Sequence, residues 1–225
     1  MSSNQMKRPE EMSQFFDKVV SGYDAHMKET IKSFDDFYSA ISMPITETNE
    51  EISILDLGCG TGLEIQYILE KCPNALITGM DVSDGMLREL SRKYTRHIDQ
   101  IKLVNDSYLT ARLGESMHHY IVSVMTMHHL LPDIKLGIYK NIRNALKSGG
   151  IYIEGDYIVS PHKEKCYLEA YDEKVADFNT YQNGKYHIDI PFSIETQTKL
   201  LLDAGFSSIK VIWKEGEAAI LVARA

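Results

Sequence analysis

From position 52 onward, short apolar runs alternate with longer mixed segments. The runs at 52–57, 75–80, 101–105 and 120–125 are almost continuously apolar, the pattern of strands buried on both faces. Between and after them, segments at 63–71, 84–94 and 134–146 repeat their apolar positions at helical spacing. Ser83 stands where the second of these helices needs an N-cap. A fifth strand is predicted over 150–157, after a Ser148-Gly149-Gly150 turn. Strands alternating with helices predict an α/β protein with a parallel sheet covered on both sides.

The flanks break this rhythm. Pro9 and two acids open a helix on which Phe15, Phe16, Val19 and Val20 share a face. Ser21-Gly22 interrupts it, and Met27, Ile31, Phe34, Tyr38 and Ile41 then recur at helical spacing up to Pro44. After Ser160-Pro161 a helix is predicted over 163–178, then a polar stretch. A helix over 193–204 follows, closed by Gly205. Alternation over 208–214 and 218–223 predicts a hairpin, so the sheet ends in an antiparallel edge. The expected organisation is a helical segment at 1–50 and a main domain at 51–225 with an insertion at about 161–191. That insertion and its flank are rich in tyrosine: Tyr157, Tyr167, Tyr171, Tyr181 and Tyr186.

Composition narrows the function classes. The chain has 225 residues, 44% of them hydrophobic, and a formal net charge of −8. An acidic protein repels phosphate backbones, so nucleic acid is not an expected partner. Cys59, Cys72 and Cys166 match no zinc or redox spacing and read as reduced thiols. The polar N-terminus lacks a signal core and no apolar run is long enough to cross a membrane, so the expectation is a cytoplasmic protein without a membrane partner.

The candidate chemistry lies at predicted strand ends, where open α/β sheets bind ligands. The first strand runs into Asp56-Leu57-Gly58-Cys59-Gly60-Thr61-Gly62; Asp81 ends the second strand and Asp106 follows the third. A nicotinamide-binding turn spelled G-x-G-x-x-G/A needs a small residue where this chain has Leu63, and a phosphate loop needs Gly-Lys-Ser/Thr, which is missing. Asp81 suits a ribose diol and Asp106 an exocyclic amine, because a carboxylate accepts from such donors. An adenosine without a pyrophosphate fits this set.

These motifs resemble the class I S-adenosylmethionine (SAM)-dependent methyltransferases, and the resemblance extends from about Phe15 to the C-terminus. It implies a Rossmann-like doubly wound sheet, with the N-terminal helices as a lid and the insertion as a helical cap. Also by resemblance, Asp56 and the backbone of Gly58, Cys59 and Gly60 hold the methionine amino group. Asp81 holds the ribose, Val82 and Met86 sandwich the adenine, and Asp106 with Ser107 reads the adenine amine. Tyr23, from the Phe16-Asp17…Tyr23-Asp24 pattern, sits near the sulfonium or carboxylate, and Met125 joins the cofactor set. Two positions depart from the family: His119-Tyr120 replaces an Asp before the fourth strand, and Ser148 replaces a Pro.

The implied activity is in-line methyl transfer to a small-molecule acceptor, yielding S-adenosylhomocysteine. The layout is also similar to carboxy-SAM synthases, which read an added carboxylate with an Arg on the last helix; this chain offers Lys199 there. A SAM-binding domain without catalysis is a further alternative. The candidate general bases are His128, His129 and Glu154, with Asp156 beside Glu154 as a base or a solvated acid. Adjacent histidines on one strand point to opposite faces, so His128-His129 are not expected to chelate one ion, and no metal is expected. Their other expected role is helix entry and pocket wall. The oligomeric expectation is a monomer or homodimer.

Overall fold

The protein is described by a computed structural model that covers residues 10–176 and 182–225. Pro9, Phe178 and Tyr181 lie outside the described residues. Seven strands form one sheet: β1 (Ser53–Leu57), β2 (Leu76–Asp81), β3 (Ile101–Asn105), β4 (His118–Val124), β5 (Leu146–Tyr157), β6 (Ser208–Glu215) and β7 (Ala218–Arg224). Their spatial order is β3-β2-β1-β4-β5-β7-β6. The first five pair in parallel, and β7 runs antiparallel between β5 and β6. The expected antiparallel edge is thus the hairpin, with β7 as its reversed strand. The order reverses between β1 and β4, which opens a crevice beyond their carboxyl ends.

Period-two alternation sorts the strand residues onto two faces. Ile54, Ile77, Val122, Ile153 and Ile220 join one core, beneath α3 (Phe34–Ser42), α4 (Ile65–Lys71) and α5 (Asp84–Lys93). Leu55, Leu57, Ile121, Tyr152 and Leu221 join the other, beneath α6 (Pro132–Ala145) and α8 (Ile194–Asp203). Helix starts follow side-chain capping: Ser83 accepts from Met86 N–H at the head of α5, and Ser193 from Thr196 N–H at the head of α8. Ser160 does the same for α7 (Pro161–Val175).

Two expectations are corrected. The periodic run from Met27 to Ile41 is not one helix: α2 (Tyr23–Thr30) ends, Ser33 takes a left-handed φ of 52°, and α3 starts afresh. Apolar spacing survives the break because α2 and α3 face the same core, so periodicity alone did not register the turn. The Ser148-Gly149-Gly150 turn is likewise absorbed into β5. Leu146 pairs with His118 and Ile151 with Tyr120, so the extra residues bulge out of the ladder there.

Helix α3 docks directly on β5 because Gly155 has no side chain. A Cβ at Gly155 would lie 2.4 Å from Ile41 Cδ1 and 2.9 Å from Phe37 Cζ. Phe37 also packs edge-on against Trp213 at 5.3 Å. Gly155→Ala is therefore expected to lower unfolding free energy by about 1–3 kcal/mol through overpacking. Urea denaturation measures this, and an unchanged midpoint would show that α3 is free to shift.

Candidate active site

Helix α1 (Met12–Val19) and a 3-10 turn over Val20–Gly22 lie above the crevice at the switch point. The turn after β1 is built from left-handed glycines, Gly58 at φ 67°, Gly60 at 49° and Gly62 at 72°. A Cβ at Gly58 would strike Thr126 Oγ1 at 2.5 Å, whereas one at Gly60 would meet only Tyr23 Cε1 at 3.9 Å. Gly58 therefore closes the turn against the β4 end, and Gly60 faces open space. The amides of Gly58 and Cys59 donate to Met80 O at 2.8 and 3.1 Å, and that of Gly60 donates to Asp81 Oδ2 at 2.9 Å. With these N–H groups engaged inside the fold, the turn lacks the donor nest that a phosphate needs.

Asp81 also accepts from Ser83 N–H at 2.8 Å. Burial raises its pKa and outweighs the backbone amides that act to lower it. Behind the turn, Asp56 and Glu64 are buried together. Burial first, and Glu64 second, push Asp56 well above the ordinary carboxyl range; burial also raises Glu64. Both Asp56 oxygens and Glu64 Oε1 have no hydrogen-bond partner among the described residues. A buried acid pair with bare oxygens is costly unless a cation or proton shares it.

The crevice between Gly58, Gly60, Asp81, Val82, Met86 and Ser107 is narrow, with about 50 Å³ of free space. The N-terminal helices hold it shut. Asp17 on α1 accepts from Ser83 Oγ at 2.6 Å and from Gly85 N–H at 2.9 Å, at the head of α5. Asp24 on α2 accepts from Thr61 Oγ1 and pairs with Lys93 at 2.8 Å. Residues 185–187 meet the start of the N-terminal segment from the other side: Met12 N–H donates to Lys185 O at 2.8 Å, and His187 N–H to Glu10 O at 2.9 Å.

A second cavity, of about 570 Å³, shares Phe16, Tyr23 and Met125 with the crevice as a common wall. Met125 has a left-handed φ of 52°, held by its N–H bond to Gly155 O at 2.8 Å. Strain at a non-glycine residue is tolerated only where surrounding structure imposes it, and here it falls on the partition between the two cavities. The far wall of the second cavity carries His128, His129, Tyr157, His187 and Asp189. His128 Nδ1 lies 2.6 Å from Asp156 Oδ1. Burial opposes protonation of His128, but the two carboxylates beside it win and its pKa is raised. His129, lowered by burial and by His128, has Nδ1 3.2 Å from Asp189 Oδ1. His187 stacks on Phe15 at 3.6 Å, and burial with His129 pushes its pKa down to about 4. No Arg or Lys lines either cavity among the described residues.

The fold is shared with solved methyltransferases. Human N-acetylserotonin methyltransferase in complex with SAM superposes with a TM-score of 0.63 at 14% identity, over 94% of this chain and 55% of that one. The DhpI-SAM-HEP complex matches over the whole of both chains with a TM-score of 0.68 at 17% identity. In sequence, the chain is similar over 99% of its length, and 99% of the relative's, to carboxy-S-adenosyl-L-methionine synthase of Campylobacter fetus subsp. fetus (strain 82-40), at 24% identity. A family described as "Methyltransferase domain" matches residues 54–150. Together these comparisons support a class I SAM-dependent methyltransferase.

The fold brings Tyr23, Gly58, Gly60, Asp81, Val82, Met86, Ser107 and Met125 together at one crevice. Three expected cofactor residues stand apart. Asp56 is buried behind the turn, on the face of the sheet covered by α4. Cys59 turns inward, its Sγ packed where a Cβ on Gly79 would sit. Asp106 is exposed and spends Oδ1 on the next amide, Ser107 N–H, at 2.7 Å, so that amide is not free for a ligand.

Glu154 is not in the second cavity, which corrects its place as a candidate base. By strand parity it points to the α6–α8 face. There Tyr139 and Tyr152 hydroxyls donate to it at 2.6 and 3.0 Å, and buried Lys135 pairs with it at 3.3 Å. The premise that separated His128 from His129 also fails. They lie in a 3-10 turn, Met127–His129, beyond the strand, and their ring centroids are 4.0 Å apart. Glu64, His187 and Asp189 were missed, and Asp17 and Asp24 were noted only as part of the N-terminal pattern, without the contacts they make. For Asp17 and Asp24 the repeated aromatic-Asp pair was a usable signal, whereas nothing local marks His187 or Asp189.

Removing one partner of a buried ion pair strands the other charge. Glu154→Ala is expected to cost about 3–5 kcal/mol of stability, read by urea denaturation. A loss of turnover at unchanged stability would instead return Glu154 to the chemistry.

Proposed function

We propose that the chain transfers the methyl group of SAM to a small-molecule acceptor seated in the 570 Å³ cavity. The observation that carries this reading is the pair of cavities with a common wall of Phe16, Tyr23 and Met125. When bound, SAM supplies an activated methyl group on a sulfonium leaving group. Alignment and exclusion of water are then the protein's main contributions.

The crevice fits the cofactor on its own chemistry. Asp81, ionised or protonated, is placed to accept from ribose hydroxyls; Val82 and Met86 offer apolar contact for adenine, with Ser107 at its edge. Gly60 leaves open space beside Tyr23 where a side chain would intrude. The bare oxygens of Asp56 and Glu64 behind the turn are unspent acceptors, and an ammonium at the methionine end would supply the cation that such a buried acid pair lacks. Of the expected lid over 1–50, α1 is the part that acts so, since α3 is fixed in the core: with about 50 Å³ free in the crevice, α1 must lift before a nucleoside enters. The segment at 182–191 closes the acceptor side.

A second reading is favoured by the full-length similarity to carboxy-SAM synthases. Against it, Lys199 on α8 is exposed and paired with Asp203 at 2.6 Å, and among the described residues no Arg or Lys lines either cavity to hold an added carboxylate. Mass spectrometry of the nucleoside carried through purification separates the two readings by the mass of one carboxylate.

Asp81→Ala is expected to weaken SAM binding by about 2–3 kcal/mol, since it removes a buried acceptor from two hydroxyls. Calorimetry with SAM and S-adenosylhomocysteine checks this; unchanged affinity would remove Asp81 from the cofactor site. Asp17→Ala, which cuts the latch from α1 to α5, is expected to speed SAM release several-fold in stopped-flow fluorescence, with a smaller effect on affinity.

A further inference from the structure

The wall of the second cavity holds more than one unpaired imidazole needs. His128, His129 and Asp189 each offer a ligand atom, all within 4.8 Å of one another. Asp189 Oδ1 lies 3.2 Å from His129 Nδ1, 3.7 Å from His128 Nε2 and 3.9 Å from His187 Nε2. Ligands about 2.0–2.1 Å from a tetrahedral ion stand roughly 3.3 Å from each other, so these separations are close to those of a ligand shell. We propose that this cluster is a binding site for one divalent first-row transition-metal ion, held by His128, His129 and Asp189 with His187 beside them.

Three observations support it beyond proximity. First, His128 is oriented as metal-bound histidines are: its Nδ1 is fixed by the buried carboxylate of Asp156 at 2.6 Å, which leaves Nε2 directed at the cluster. Second, the charges call for a cation. Asp156 and Asp189 place two carboxylates around neutral-capable imidazoles, while Lys135 is tied to Glu154 and Gln197. Third, the cluster is braced from both sides. Ile190 N–H donates to His128 O at 2.6 Å, and Ile188 O lies 3.3 Å from His129 Nδ1, one more hard oxygen at the site.

Two imidazoles and one carboxylate leave coordination positions open, the donor set of non-haem metal sites that take an exogenous oxygen ligand. Those positions open into the cavity bounded by Met125 and Tyr23. An acceptor with a hydroxyl, enol or carboxylate oxygen would be held and polarised there; this assignment of the open positions rests on the acceptor reading above. Metal binding itself does not.

The test is titration of the full-length protein, stripped with a chelator, with cobalt(II) alone, following visible absorption and calorimetry. One ion per chain is expected, displaced by zinc. Asp189→Asn and His129→Ala are each expected to weaken cobalt binding at least 100-fold, and Asp156→Asn about 10–100-fold, as for an outer carboxylate that orients a ligand. SAM binding by the same variants, measured separately, reports that they are folded. No saturable cobalt binding by the wild type, or equal affinity in wild type and Asp189→Asn, overturns the site. Loss of turnover in His128→Ala without any cobalt binding by the wild type would overturn it too, in favour of general-base chemistry. Because cobalt is read without SAM or acceptor, failure of the methyl-transfer reading would leave the metal result standing.

Discussion

The Asp81 carboxylate accepts the Gly60 amide at 2.9 Å and the Ser83 amide at 2.8 Å, and the crevice takes its shape from those two bonds. They tie the end of β2 to the glycine turn after β1 and to the head of α5 at once. Ser83 in turn caps α5 and donates to Asp17, so the same junction positions the N-terminal helices. A carboxylate has room for several donors, and Asp81 can spend two acceptor sites on the fold and keep others for a ligand. Its raised pKa is the cost of doing this in a buried place.

Closure depends on two chain segments distant in sequence. Helix α1 latches to α5 through Asp17 below and clasps Lys185 and His187 above. The result is a mouth sealed by backbone hydrogen bonds and a few exposed acids, with little apolar burial: α1 has no fully buried residue. Elements held in this way open at low free-energy cost, which suits a lid. The partition residues Phe16, Tyr23 and Met125 come from both the N-terminal helices and the β4 end, so the docking of those helices is what separates the two cavities.

Two acids on β5 show how position along a strand decides chemistry. Glu154 and Asp156 point to the same face of the sheet. Glu154, within the covered part, is met by Lys135, Tyr139 and Tyr152 and becomes part of the core. Asp156, one step beyond the cover of α6, meets His128 instead. The inner acid is enclosed by its partners at the α6–α8 face; the outer one fixes an imidazole on the wall of the second cavity.

The sequence by itself determined the alternation of strands and helices, the glycine turn and the acid at the end of β2. Each is a local property: strand periodicity is two, a left-handed φ selects glycine, and a strand end in a parallel sheet faces the ligand side. Only the tertiary structure decided which candidates meet. The break at Ser33 is invisible to periodicity because both helices face one core. Asp106 turns back on its neighbouring amide, and Glu154 is claimed by Lys135. His128 and His129 converge because a 3-10 turn, not a strand, carries them. His187 and Asp189 reach them from some 60 residues away through loop geometry. No residue-by-residue preference encodes such contacts; they exist only once the sheet has fixed the loops that bear them.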